Sequence, residues 1–480
     1  MKRERIKSIL LIVLVISNII LSSKIWINKK LWPSGYNFFV NIQNSFIVKS
    51  VTNLFGRNNS DYISKTHINT PKQIIINTGY QTTRFALDST YDIFSDANNI
   101  SQNILSAALS APIRSISSAT QDEWYSVLMS KSVYLNYNVE YDTNLFAQFL
   151  GVKETELSSM LNYITDAVLA VDSTSSNITV YIKNGHNDTY YKINTSIAKD
   201  DVENLIDYFQ NGKDENPEDI PSDSPNIINY SFDLLFDRGN QKALLSPMIP
   251  IFSNPQTYNI IEADNPIIKS DGSLNTSVAE RLLSTFDINS STMRRYTEAN
   301  GTVVFVENDA ILKLSPNGVL EFSATGADNG IKLAEPTASE YTNICMAADF
   351  MDNVNSEISA NKNLYLSSDL TDDNINLSDI ELNFDYSAYG LPVNLSVENY
   401  NHAVSMTISN GRLQKYTQVL RAYSNTGEKA ETSAFIDSLD ETIRQYEYIS
   451  GQIYVDKIYA AYSDDGTIGK KSASWKVILG

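Results

Sequence analysis

Val306–Phe322 reads VENDAILKLSPNGVLEF, and Val397–Tyr416 reads VENYNHAVSMTISNGRLQKY. In each, a Val-Glu-Asn triplet leads into an apolar run (Ala310-Ile311, Ala403-Val404), then an Asn-Gly pair (Asn317-Gly318, Asn410-Gly411), then a second apolar run (Leu320 and Phe322, Leu413 and Tyr416). Asn-Gly between alternating runs favours a two-residue hairpin, because both central positions need positive φ. The signal recurs in one context, each time after a helical pattern, and predicts two copies of a single α+β unit. The expected helices are Ala279–Thr285 and Tyr341–Val354, the second with Ile344, Ala347, Met351 and Val354 on one face. Strands are expected at Ile453–Tyr462 and Ser474–Leu479, around Asp464-Asp465-Gly466.

Toward the N-terminus, residues 212–225 read GKDENPEDIPSDSP, five acids and three prolines with Ile220 as the sole aliphatic. Such a segment buries no face and is expected to link domains. Before it, Ile100, Ile104 and Ala108 recur at helical spacing. Thr120 with Glu123 forms a capping box ahead of Trp124, Val127 and Leu128. Val133, Leu135, Tyr137 and Val139 alternate as in a half-buried strand, and Asp142 caps a short helix that stops at Gly151. Ile178–Lys183, Asn184-Gly185 and Tyr190–Ile193 suggest a hairpin. The expectation is α+β throughout, in three domains at 71–211, 226–335 and 336–480, the last two related. An Asn- and Ser-rich stalk is expected over 28–70.

The first thirty residues differ in kind. Lys2, Arg3, Arg5 and Lys7 precede an apolar run, and Ser8–Ile27 gives 20 residues interrupted only by Lys24. At roughly 1.5 Å per residue this spans a hydrocarbon core of about 30 Å. Lys24 can snorkel, and Trp26 and Trp32 suit the interface. The rival reading, a cleaved signal peptide, lacks a small-x-small site before Ser23. The denser cluster at 1–7 favours a cytoplasmic N-terminus, with the bulk of the chain outside the cell membrane. Within the span, Leu11, Leu14, Asn18, Leu21 and Ser22 share one stripe. An amide at mid-span needs a partner, so this stripe is a candidate helix–helix contact; the alternative is that Asn18 bonds its own backbone or water.

Composition narrows the function. The chain has 480 residues and formal net charge −19; its first thirty carry +6, which leaves −25 on the remainder. Such a surface repels nucleic acid. Cys345 is the single cysteine, so neither an intramolecular disulfide nor a Cys-based zinc site can form. The three histidines, His67, His186 and His402, stand isolated in loop-like settings. No HExxH, GxSxG or GxGxxG occurs. Gly466–Ser472 imitates a phosphate loop, but Asp464 occupies the position that needs the first glycine. Asp369, Thr371, Asp373 and Asn374 imitate a calcium loop, but Ile380 stands where a bidentate acid belongs, so a solvated turn is expected. The reading is a protein without catalytic residues, cofactor or metal.

Several blocks together resemble the YycH family of Gram-positive bacteria: the start MKRERIKSILL with its apolar span, DEWYSVLMSKSVYLNYNVEYDTNLFAQFLG at Asp122–Gly151, RRYTEANGTVVFVEN at Arg294–Asn308, and DYSAYGLPV at Asp385–Val393. The resemblance implies a membrane-anchored regulator of an essential cell-wall sensor histidine kinase of the WalK/YycG type. It also implies three outer domains, the last two related to each other and to a YycI-like partner. Kinase, YycI-like regulator and membrane are the implied partners, reached through the anchor helix and the outer domains. Two other classes stay open: an extracytoplasmic module that binds a ligand or the cell wall, and an envelope hydrolase.

Overall fold

The computed structural model describes residues 66–480, apart from 80–83, 212–225, 232–242, 246–248, 253–254, 359–362, 376–378, 446–452 and single positions. The expected tail, transmembrane span and most of the stalk therefore lie outside the described residues, as does the acidic segment 212–225. No helix among the described residues is long and apolar enough to cross a membrane.

The N-terminal part is a nine-stranded antiparallel sheet. From edge to edge it runs Pro250–Phe252, Asn226–Tyr230, Arg84–Leu87, Gln73–Thr78, Lys131–Asp142, Tyr163–Ala170, Asn177–Asn184, Thr189–Ala198 and Ile116–Ala119. The two-residue pleat sorts its side chains. Ile74, Ile76, Val133, Leu135, Ala167 and Leu169 enter the main core, on the side of the helices Asp92–Leu109 and Asp200–Asn211. Their neighbours Ile75, Tyr134 and Val168 form a separate cluster with Trp124 and Leu128 of the helix Gln121–Leu128. That helix begins as expected: the Thr120 hydroxyl accepts from the Glu123 N–H (3.2 Å), and the Glu123 carboxylate accepts from the Thr120 N–H (2.8 Å). Asp142 caps Thr143–Phe149 by accepting from the Leu145 N–H. Gly151 follows with φ +82, the left-handed stop.

The sheet also takes in sequence from beyond the acidic segment. Asn226–Tyr230 pairs with Arg84–Leu87, and Pro250–Phe252 pairs with Asn226–Tyr230. The boundary expected at residue 226 is thus crossed by two strands. A short segment of complementary register needs only an open sheet edge, which composition does not display.

The remainder is built on a thirteen-stranded mixed sheet centred on the two Asn-Gly hairpins. Both hairpins form, Ala310–Leu314 with Val319–Ala324 and Val404–Ser409 with Arg412–Val419. The second has the expected two-residue turn at Asn410 (φ +50) and Gly411 (φ +73), whereas in the first only Gly318 has positive φ and the longer loop Ser315–Gly318 joins the strands. Their inner strands pair antiparallel, Phe322 opposite Tyr416, so a local two-fold relates the hairpins. The helices that precede them, Thr276–Thr285 and Glu340–Ile358, pack on each other. Phe286 stacks against Phe322 (5.1 Å between ring centres) and meets Phe350 and Tyr416 edge-on. A buried network crosses the same region: Gln418 donates to Asn355 (2.7 Å) and Tyr386 (3.0 Å), and Tyr416 donates to Gln418 (2.6 Å). Thr257–Asp264 leaves the first unit to pair with Ala422–Glu431 and Gly469–Lys471 of the second. The two hairpin regions share a core, and the earlier segment lends Thr257–Asp264 to the later one.

The two sheets meet at the end of Lys131–Asp142. Asp142 N–H donates to the Leu370 carbonyl and Leu370 N–H to the Glu140 carbonyl, both at 2.7 Å. The helix Thr66–Asn69 is packed there too, with Ile68 1% exposed, Tyr141 donating to the Ile68 carbonyl and Asn69 to that of Phe149. The last residues of the expected stalk thus belong to the folded part.

Candidate functional site

Between the two sheets lies a cleft of about 590 Å³. Strand register explains its wall. Gln73, Asn136, Asp166 and Lys183 stand directly opposite one another on four consecutive strands, so one pleat presents a polar row across the N-terminal sheet. On the same face, Ile75, Tyr134 and Val168 form an apolar row beneath the helix Gln121–Leu128. With eight residues, that helix covers the apolar row and leaves the polar one to the cleft. The opposing wall is the turn Gly390–Pro392 and residues Lys457–Ala460 of the strand Ile453–Asp464.

Asp166 is 8% exposed and fully engaged. It accepts from Tyr134 (2.7 Å), Asn136 (2.8 Å) and Thr165 (2.8 Å). Burial first and the Asp166 charge second push the Tyr134 hydroxyl well above its ordinary range. Lys183 pairs with Asp188 at 3.2 Å. Burial opposes its charge, but Asp166, Tyr190 and Asp188 outweigh that and raise its pKa.

Lys72 has no such partner. Its ammonium sits 4.1 Å from the centre of the Tyr459 ring, a cation–π contact. Among the described residues no carboxylate stands within ion-pair distance of Lys72 or Lys457. Burial, and then repulsion from Lys457, lower the Lys72 pKa to about 8.

Two motifs set aside in the sequence are tied up in local hydrogen bonds. At Gly466–Ser472 the N–H groups of Gly466 and Thr467 donate to Asp464 (2.8 Å) and Asp465 (3.1 Å), and strands follow instead of a helix. The Asp369 carboxylate of the calcium-like turn accepts the Glu140 N–H (2.8 Å), tying the two sheets together. His402 is less isolated than its sequence setting suggests: Nδ1 lies 3.2 Å from both Asp385 Oδ2 and Ser367 Oγ. A nucleophile relay needs serine and aspartate on opposite ring nitrogens, and here both approach the same one. His67 falls in the helix Thr66–Asn69, and His186 lies outside the described residues. The anchor stripe Leu11, Leu14, Asn18, Leu21 and Ser22 also lies outside them.

Sequence reasoning did not find the cleft, since Lys72, Asp166 and Lys457 are far apart in the chain. One signal was available: Asp166 interrupts the apolar strand YITDAVLA, where a charge is out of place unless it serves a network.

No protein-family model matches the chain, and no curated protein matches it. Among solved structures, YycH from Bacillus subtilis superposes with a TM-score of 0.54 at 12% identity, covering 88% of this chain and 97% of that one. An uncharacterized protein from Eubacterium rectale aligns over 50% of this chain and 82% of its own, at TM-score 0.28 and 16% identity. The mixed α+β architecture described above is a YycH-like fold.

Proposed function

We propose that the chain is a non-enzymatic regulator of a sensor histidine kinase of the WalK/YycG type, anchored by residues 8–27 with its α+β part outside the membrane. The supporting observation is the extent of the fold likeness: nearly the whole of YycH is matched, and the resemblance read from sequence blocks points to the same protein. In this reading Leu11, Leu14, Asn18, Leu21 and Ser22 face the kinase or a YycI-like partner. An interhelical amide bond in lipid contributes on the order of 0.6–2 kcal/mol, a factor of about three to thirty in association. Replacing Asn18 with leucine is expected to reduce co-purification with the kinase by that factor and to change phosphorylation of its response regulator, with membrane insertion intact. Kinase output that is unaltered by deleting the whole chain would overturn the regulatory reading.

A further inference from the structure

We infer that the cleft between the two sheets is a binding site for a small ligand bearing an oxyanion, a carboxylate or a phosphate, held between Lys72 and Lys457. The inference stands on geometry independent of the regulatory reading. Lys72 enters from the N-terminal sheet and Lys457 from the strand Ile453–Asp464, so the two charges face one space from opposite walls. A folded protein ordinarily neutralises a half-buried ammonium with a carboxylate, because desolvating an unpaired charge is expensive.

Five acids line the cleft, Asp88, Glu140, Asp166, Asp369 and Asp456, and among the described residues none stands within ion-pair distance of Lys72 or Lys457. Asp166 serves Tyr134, Asn136 and Thr165, and Asp369 serves the Glu140 backbone. Lys183, the third cation of the cleft, has Asp188. Lys457 is exposed, so the desolvation falls on Lys72; an anion entering between the two would relieve it together with their mutual repulsion. Tyr459, under the Lys72 ammonium, holds that group toward the space. Asn136 and Gln73, opposite each other on the polar row, supply amides for the ligand body. The volume, about 590 Å³, falls in the range of roughly 300–1,000 Å³ typical of small-molecule sites.

The test uses the full chain in detergent with two probes, acetate and inorganic phosphate, each against sodium chloride at equal ionic strength. A site predicts a saturable rise in melting temperature for at least one probe, and the probe that acts tells carboxylate from phosphate. Phosphate also stabilises proteins by exclusion from their surface, which does not saturate and does not depend on one lysine. In Lys72→Met and Lys457→Met the saturable part should vanish, and Lys72→Arg should retain it. Should Lys72→Met fail to fold, 13C-dimethylated lysine resonances of the unmutated chain give the same answer. The Lys72 signal is expected to titrate near 8 in chloride and to move upward when the active probe is added. A saturable rise that survives Lys72→Met, or a Lys72 titration indifferent to both probes, would overturn the proposal.

Discussion

Two junctions in this molecule combine a cation with a tyrosine to opposite ends. Where the two hairpin units meet, Arg421 (2% exposed side chain) and Asp464 (0%) form a buried pair at 3.2 Å. Tyr423 donates to the same carboxylate (2.8 Å), and the guanidinium also donates to the carbonyls of Asn317, Leu420 and Gly466. Every charge there has its complement, and the arrangement holds the turn at Gly466 against the turn at Gly318. Where the N-terminal sheet meets the rest, Lys72 and Lys457 face a cleft lined also by Asp88, Glu140, Asp166, Asp369 and Asp456, yet among the described residues none of these acids stands within ion-pair distance of either lysine. The first junction is closed by its own residues. The second has the composition of a place that something else completes.

The largest effect is expected at the closed junction. Asp464→Ala removes the one carboxylate paired with Arg421 among the described residues, and an unpaired buried charge costs about 3–5 kcal/mol. Denaturant melts should show that loss, and the double variant Arg421→Met/Asp464→Leu should recover most of it, since a well-packed apolar pair replaces a buried ion pair at little cost. If both are equally damaging, the pair contributes shape instead of charge balance.

The turn glycines grade the same contrast. At Gly411 (φ +73) an added Cβ would lie 2.6 Å from the Ala334 carbonyl oxygen and 2.9 Å from that of Glu335. At Gly151 (φ +82) it would meet nothing within 4 Å. Alanine at 411 should therefore cost about 2–4 kcal/mol, combining backbone strain with overlap, and at 151 about 1 kcal/mol from strain alone. Equal losses would mean that conformation outweighs packing at both sites.

At the open junction the sign reverses. The folded-state pKa of Lys72, about 8, lies below its ordinary 10.5. The folded state thus holds this proton less tightly than the unfolded chain, and stability rises with pH between those values. Below that window the penalty is present in full, so Lys72→Met is expected to stabilise the unliganded protein by about 1–3 kcal/mol at neutral pH. A destabilised variant would show that the stacking on Tyr459 outweighs the desolvation.

The smallest effect belongs to His402. Its hydrogen bond with Asp385 raises its pKa, against burial, which lowers it. A raised folded-state value gives a contribution that is complete below the unfolded pKa and is lost as pH climbs through the folded one. His402→Gln should therefore lose more stability relative to the unmutated chain at about pH 5.5 than at about pH 8.5. A gap independent of pH would assign His402 a packing role only.

The elements themselves were legible wherever a local rule sufficed. The Asn-Gly hairpins, the Thr120–Glu123 capping box, the Asp142 cap and the left-handed Gly151 were all readable from a few consecutive residues, because turn and cap chemistry act within about four positions. The two-residue period likewise marked Lys131–Asp142 and Asn177–Asn184 as strands, and the helical period marked Glu340–Ile358. From the N-terminal residues alone came the expectation of an anchor, set by apolar length.

Tertiary structure decided what joins what. That Asn226–Tyr230 returns to the first sheet, that Thr257–Asp264 crosses to the second hairpin unit, and that Asn69 of the helix Thr66–Asn69 bonds Phe149 all depend on partners 80 or more residues away in sequence. Strand order is set by which edges are free and which registers bury apolar rows, and neither is a local property. The cleft arises in the same way: Gln73, Asn136, Asp166 and Lys183 become one row through register, and Lys72 meets Tyr459 only after both sheets have docked. Sequence determines the pieces because their energetics are local. The site belongs to the assembled fold because electrostatic pairing, or its absence, exists only once distant charges share one space.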